Sequence, residues 1–102
     1  MPSDPGRRFH VAMQDIYLRA KSDCGYNATR FLQMISEAGG VETARRLLRG
    51  TDAQYGLQVL WEHGRLDLSV EAHVLKDEVR DLLSDEERQI AEGRLRAYGW
   101  TP

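Results

Sequence analysis

The stretch FLQMISEAGGVETARRLLRG, residues 31–50, decides the fold class. Its first half places apolar residues on one side of a helix, two glycines interrupt the pattern, and the second half resumes the same spacing. A glycine pair of this kind ends one helix and lets the chain turn into the next. The stretch therefore predicts two short helices that meet at a corner. Both a structural corner and a DNA-reading helix-turn-helix have this form.

Apolar residues at helical spacing also precede this corner. They run from Phe9 to Cys24, and Gly25 then occupies a position on which helices commonly end. Asn27 has a side chain that accepts hydrogen bonds from free backbone amides, so we expect it to cap the helix that follows. Residues 1–8 contain prolines and a glycine and are expected to form a flexible segment before the first helix.

Two capping boxes mark the starts of later helices. In such a box, two side chains three residues apart bond reciprocally to free backbone amides of the first turn. Thr51 and Gln54 form one box, and the helix that they open is expected to end at Gly64. Ser84 and Glu87 form the other box, which predicts the last helix of the chain.

The segment Leu66–Val74 allows two interpretations. Its apolar and polar residues alternate, as in a half-buried strand. A strand needs a partner, however, and no other segment of the chain has the pattern of a strand. We therefore prefer a helix from Val70 to Leu83 that is capped by Ser69.

The fold class that follows is all-α, a compact orthogonal bundle of five or six short helices. A chain of 102 residues is long enough for one domain, which we place at residues 9–102, and too short for two. Its apolar helix faces are expected to form one core. The expected members of this core are Phe31, Met34, Ile35, Leu47, Leu48, Leu60, Trp61, Leu75, Val79 and Ile90.

The usual catalytic and metal-binding patterns are missing from the sequence. His10, His63 and His73 lie at no spacing typical of metal ligands. Cys24 continues the apolar stripe of the first helix, so we expect a small core residue and not a nucleophile. No glycine-rich phosphate loop follows a predicted strand. We therefore expect no enzyme, no cofactor and no metal site.

The sequence also favours one cellular compartment. The single cysteine excludes an intrachain disulfide framework, which favours a reducing environment. No apolar run approaches the roughly 18 residues of a membrane span, and the first residues lack the apolar core of a signal peptide. We expect a cytoplasmic protein that does not contact a membrane.

Nucleic-acid binding is one function that the corner at residues 27–50 allows. The residues that would contact DNA are Thr43, Arg45, Arg46 and Arg49. The helix-turn-helix pattern requires apolar residues just after the turn and again five and eight residues later. Val41 fits this pattern, whereas Arg46 and Arg49 do not. The net charge of −2 also gives the chain no general attraction to DNA.

A second candidate site lies in the stretch WEHGRLDLS, where polar residues crowd around a turn next to a tryptophan. Its members are Trp61, Glu62, His63, Arg65 and Asp67. Aromatic and arginine side chains are enriched where protein interfaces gain their binding energy, so the cluster could bind a partner. Alternatively, arginine and carboxylates form a brace that fixes the turn between two helices.

Three stretches, GYNATRFLQMISEAGG, LWEHGRLDLSVEAHVL and RLRAYGW, carry a resemblance to known sequences. Together they resemble a group of small bacterial proteins and appended domains of uncharacterised function, over about Phe9 to Trp100. The resemblance implies a bacterial cytoplasmic setting and a compact helical module that can stand alone or be fused. It brings no activity, cofactor or catalytic residue.

These observations favour a function that is exerted through the surface of the domain. We expect a non-enzymatic interaction module that binds a partner protein or its own copy, because the charge is slightly negative and the helix-turn-helix pattern is broken. Nucleic-acid binding through residues 27–50 is the alternative.

Overall fold

A computed structural model describes residues 5–50 and 53–100, and of residues 53–55 it describes the backbone alone. Within these residues the chain forms α-helices and short 3₁₀ turns and contains no strand. The helices are α1 (Pro5–Cys24), α2 (Thr29–Ala38), α3 (Gly40–Arg49), α4 (Ala53–Glu62), α5 (Val70–Val74) and α6 (Asp85–Ala97). The radius of gyration, 12.6 Å, is that of a compact chain of this length. The prediction of a compact all-α bundle is confirmed.

Helix α1 is the longest and supports the others. It begins at Pro5, where the missing amide hydrogen costs nothing because a first turn has no helical acceptor for it. Residues 5–8, which the sequence analysis assigned to a flexible segment, are therefore helical, and residues 1–4 lie outside the described residues. The helix ends before Gly25, which has a positive φ of 66°. Its buried face consists of Phe9, Met13, Ile16, Tyr17 and Ala20.

The predicted corner between α2 and α3 is present, and its two glycines serve different purposes. Gly39 has a φ of 87°, which glycine adopts without strain, and its amide bonds to the Ile35 carbonyl at 2.9 Å. Gly40 lets α1 and α3 approach closely, since a Cβ atom there would lie 2.7 Å from the Cα of His10. The Gly40 amide donates to Nδ1 of His10 at 3.0 Å.

The expected cap of α2 is wrong. The N-cap position is Ala28, which has no side-chain group to accept a hydrogen bond. Asn27 instead uses its Oδ1 atom to accept the hydroxyl of Tyr17 at 2.7 Å. A hydrogen bond from α1 to the loop before α2 has thus replaced the local one that the sequence suggested.

The segment Leu66–Val74 is helical, as preferred. Leu66–Leu68 form a 3₁₀ turn, and the Ser69 hydroxyl then caps α5 by accepting the Ala72 amide at 3.0 Å. The alternation of the sequence arises because the tight turn buries Leu66 and Leu68 on one side.

Helix α5 is much shorter than predicted. It ends at Val74, and the chain becomes extended at Lys76 before a second 3₁₀ turn at Asp77–Val79. The guanidinium of Arg88, from α6, donates to the carbonyls of Val74 and Leu75 at 3.0 and 2.9 Å. A helix that continued to residue 83 would need these carbonyls for its own hydrogen bonds.

The start of α6 and the end of α4 lie where the sequence predicted them. The Ser84 hydroxyl accepts the Glu87 amide at 3.1 Å, and Glu87 accepts the Ser84 amide at 2.9 Å, so the second capping box is confirmed. Helix α4 ends just before Gly64, whose φ is 68°. In the first capping box, Thr51 lies outside the described residues and Gln54 is described by its backbone alone.

The apolar interior is divided, and this differs from the single core that we expected. The largest cluster joins α1, α2, α3, α5 and α6 and includes buried Ile35, Leu48 and Val79. Leu60 is buried in a separate cluster with Ala20 and Leu68. The half-buried residues that pack against the largest cluster include Phe31, Leu47, Leu75 and Ile90, and Met34 is also half-buried. Trp61 is not in the core at all, since 48% of its surface is exposed.

None of the described helices is long and apolar enough to cross a membrane.

Candidate functional site

The arginines of α3 lie on its exposed side, and each is paired with a carboxylate. Arg46 places Nε 3.3 Å from Glu42 of the same helix. Arg45 and Arg49 both reach Glu87 on α6, at 3.6 and 3.3 Å. Two carboxylates therefore offset two of the three positive charges, which weakens the attraction of α3 for phosphate groups.

Glu87 is held as a charged group between α3 and α6. Its surface is only 2% exposed, and burial opposes ionisation. The hydrogen bonds from Ser84 and the charges of Arg45 and Arg49 outweigh burial and lower the pKa of Glu87. Two of the arginines that were candidates for DNA contact, Arg45 and Arg49, thus help to dock α6.

The assignment of Thr43 to a DNA-contacting face is wrong. Thr43 is fully buried, because it lies on the side of α3 that also carries Ala44 and Leu48 into the interior. Its Oγ1 atom has no hydrogen-bond partner. A threonine in this position cannot reach a base or a phosphate without unfolding of the helix bundle.

The second predicted cluster contains the arginine brace that the sequence suggested. Arg65 donates through Nε and Nη2 to both oxygens of Asp67, at 3.1 and 3.2 Å. Its Nη1 atom donates to Asp23, at the end of α1, at 2.7 Å. The brace ties the turn after α4 to α1, and the hydrogen bonds of Arg65 lower the pKa of Asp67.

Two other members of this cluster are bonded to their own helix. Glu62 accepts the side-chain amide of Gln58 at 3.1 Å, and His63 places Nδ1 3.0 Å from the Val59 carbonyl. Both side chains remain exposed. They are therefore available at the rim of a surface but do not converge with Asp67 on one point.

Trp61 forms an aromatic surface with residues that the sequence analysis did not connect to it. Its ring centroid lies 5.4 Å from that of Tyr98, with the planes inclined at 44°. Trp100 and Asp67 line the same shallow concavity, of about 380 Å³. We call the exposed region formed by Trp61, Asp67, Tyr98 and Trp100 the aromatic surface.

Two helix ends bring this surface together. Gly64 and Gly99, which follow α4 and α6 and both have positive φ, line its concavity. The chain turns at each glycine, and Trp61 thereby lies beside Tyr98. The turn at Gly99 brings Trp100 back toward α6, where its amide donates to the Leu95 carbonyl at 3.1 Å. Tyr98 and Trp100 flank Gly99 in the sequence and could have been noticed as an aromatic pair. No local pattern, however, connected them to Trp61.

A larger cleft, of about 740 Å³, opens between α1, α2 and α4. Its polar groups are occupied by the fold: Tyr17 donates to Asn27, and buried Glu71 pairs with Arg94 at 3.1 Å. Burial raises the pKa of Glu71, against the opposing effect of its own amide and of Arg94. Arg94 also donates to the carbonyls at the end of α3, so the pair that it forms with Glu71 belongs to the packing of the helices.

The metal-ligating residue types do not assemble. In residues 5–50 and 53–100, no three histidine, cysteine or acidic side chains lie close enough to share a metal ion. Cys24 is half-buried beside Leu60, and burial raises the pKa of its thiol. A thiol in this setting is a weak nucleophile.

Comparisons with protein-family models, with curated proteins and with solved structures found no match to the chain.

Proposed function

We propose that this protein is a non-enzymatic interaction module that binds a partner protein through the aromatic surface. The observation that carries the proposal is the exposure of Trp61, nearly half of whose surface is in contact with solvent. Large exposed aromatic groups are enriched at the centres of protein interfaces.

The surroundings of Trp61 support an interface. Tyr98 and Trp100 extend the apolar area, and their undersides pack on the buried cluster of Leu57, Leu66 and Leu95. The Arg65 brace fixes the adjoining turn before any partner arrives. A surface that is already ordered loses less conformational entropy on binding, so more of its contact energy appears as affinity.

The candidate catalytic groups give less support to an enzyme. Glu62, His63 and Asp67 do not line the large cleft, and its buried carboxylate, Glu71, is engaged by Arg94. An acid or base in catalysis must reach the proton that it transfers.

We extend the proposal to a bacterial cytoplasm, which the single cysteine and the sequence resemblance favour.

The test compares two truncations of exposed apolar side chains. Trp61→Ala removes the centre of the aromatic surface, whereas Leu18→Ala removes a side chain of similar exposure on α1, away from that surface. In affinity purification from the cells that produce the protein, we expect the bound partner to be lost with Trp61→Ala and retained with Leu18→Ala.

Two further measurements complete this test. Circular dichroism melting curves show that both variants are folded, and sedimentation equilibrium shows whether the partner is a second copy of the chain. Equal recovery of the same partner with Trp61→Ala and with the wild type would exclude the aromatic surface as the binding site.

A further inference from the structure

We infer that the aromatic surface receives a cationic side chain, an arginine or a lysine, of the partner protein. This inference rests on the proposed function and names the group that the surface recognises. Three features of the surface support it: its aromatic rings, the charges around it, and the orientation of the two helices that end in it.

The rings supply the first contact. The tilted arrangement of Trp61 and Tyr98 joins two aromatic rings at the wall of the concavity, and Trp61 remains open to solvent. The face of an indole or phenol ring carries negative electrostatic potential, and it attracts a guanidinium or ammonium group within about 6 Å. Tryptophan is the strongest aromatic partner for such a cation.

The charges beside the rings have the matching sign. Two carboxylates, Asp23 and Asp67, share the single cation Arg65, so the brace carries one net negative charge. Arg19 and Lys76 line the neighbouring concavity and not this one. Asp67 lines the concavity, and 61% of its side chain is exposed. Its oxygens each accept one hydrogen bond from Arg65, and a carboxylate has room for further donors. Its lowered pKa keeps it ionised at neutral pH.

The helix ends act in the same direction. Helices α4 and α6 both end at this surface, and the glycines that follow them, Gly64 and Gly99, line its concavity. The carboxyl end of a helix carries a partial negative charge, which favours a cation and disfavours an anion. A concavity of about 380 Å³ is large enough for one long side chain and far smaller than a groove for a whole helix.

The experiment uses matched tripeptides as probes. They are acetylated and amidated Ala-Arg-Ala, Ala-Lys-Ala and Ala-citrulline-Ala, in which citrulline keeps the shape of arginine without its charge. The chain has two tryptophans, Trp61 and Trp100, and both lie in the aromatic surface, so tryptophan fluorescence responds to binding there. Trp100 also lines the neighbouring concavity, and the Trp61→Leu variant separates the two signals. Amide resonances of Gly64 and Gly99 provide a second, residue-specific signal.

We expect saturable binding of the arginine and lysine peptides at millimolar concentration. Replacement of arginine by citrulline should weaken binding roughly three- to thirty-fold, the range for a cation–aromatic contact together with an exposed ion pair. Asp67→Asn should reduce this preference for the charged peptide, and Trp61→Leu should abolish binding. Asp77→Asn, at an exposed acid outside the surface, is the control and should change nothing.

The outcomes separate the inference from the proposed function. Equal binding of the arginine and citrulline peptides, or no binding of either at millimolar concentration, would overturn the inference. If the partner protein is nevertheless lost with Trp61→Ala, the proposed function stands and the recognised group is apolar. If the charged peptides bind but Trp61→Ala retains the partner, the cation site exists and the proposed function is wrong.

Discussion

At the scale of single residues, Thr43 is an unusual feature of the interior. Its hydroxyl is fully buried, and its Oγ1 atom has no partner in the described structure. Leaving a buried polar group unpaired costs about 1–3 kcal/mol. Valine has nearly the same shape and the same helix propensity as threonine but no hydroxyl.

Thr43→Val should therefore raise the free energy of unfolding, by about 1 kcal/mol. Urea unfolding followed by circular dichroism measures this change. Thr43→Ser is the matched control: it keeps the hydroxyl and removes the methyl group, so it should lower the stability. A less stable Thr43→Val variant would show that the hydroxyl makes a favourable contact.

The lowered pKa of His73 makes the stability of the fold depend on pH. Burial lowers its pKa below the ordinary value of 6.5, while Nδ1 lies 2.9 Å from the Ser69 carbonyl. Below pH 6.5 the unfolded chain therefore binds a proton that the folded chain does not. The contribution of His73 to stability falls as the pH decreases from 6.5 toward its folded pKa.

The measurement is urea unfolding at about pH 7.5 and about pH 5.5, on either side of the ordinary histidine pKa. We expect the wild type to lose stability at the lower pH and His73→Gln to lose less, because glutamine does not titrate. The same pH dependence in both proteins would show that other groups cause it.

At the scale of helices, local signals predicted the boundaries that local chemistry controls. The Gly39 corner, the Ser69 cap and the Ser84–Glu87 box are all present, since each depends on residues within one turn. The cap at Asn27 was wrong because Tyr17, ten residues away, takes that side chain. No pattern in one segment contains information about such a partner.

Arg94 shows the same limit most clearly. From α6 it donates to the carbonyls of Leu47, Leu48 and Gly50, at 2.9, 2.9 and 2.6 Å, and so caps the end of α3. It also pairs with buried Glu71, and only 13% of its own side chain is exposed. All these partners lie more than twenty residues away in the sequence, so the spacing of residues in α6 could not reveal them.

Arg94→Met should lower the free energy of unfolding by about 3–5 kcal/mol, because it leaves the buried Glu71 carboxyl and the α3 carbonyls without their partner. Arg94→Lys keeps the charge but cannot reproduce the forked contacts, so it should also be destabilising, though less. Arg96→Met, on the same helix, removes an exposed pair with Glu92 and should change stability by less than about 1 kcal/mol. Chemical denaturation of the three variants measures these differences, and similar losses at positions 94 and 96 would contradict the assigned cap.

At the scale of the whole molecule, the sequence predicted half of the candidate site. Trp61 and Asp67 were identified because they lie six residues apart in one polar turn. Tyr98 and Trp100 join them only because two glycine-terminated helices end side by side. The exposure of Trp61 was not predictable from its sequence position, since an apolar residue at helical spacing is ordinarily buried.

The distribution of charge over the folded chain bears on nucleic-acid binding, the alternative function considered at the start. Arg45 and Arg49 share Glu87, Arg46 pairs with Glu42, and the chain has a net charge of −2. A DNA site on α3 would have to displace these carboxylates. We therefore expect no saturable binding of mixed-sequence duplex DNA in a fluorescence anisotropy titration at about 50 mM salt, the condition that favours phosphate contacts.

The structure also determines which variants make this test decisive. Changing Arg45 and Arg49 to alanine would leave Glu87 buried without its cations, so a loss of binding could reflect unfolding. Arg46→Gln is cleaner, because its partner Glu42 is exposed. If the wild type binds DNA at about 50 mM salt, weakens by orders of magnitude at about 200 mM, and loses affinity with Arg46→Gln, then nucleic acid is the ligand of α3. With no binding at the lower concentration, the arginines of α3 are left with the structural role that their pairing with Glu42 and Glu87 describes.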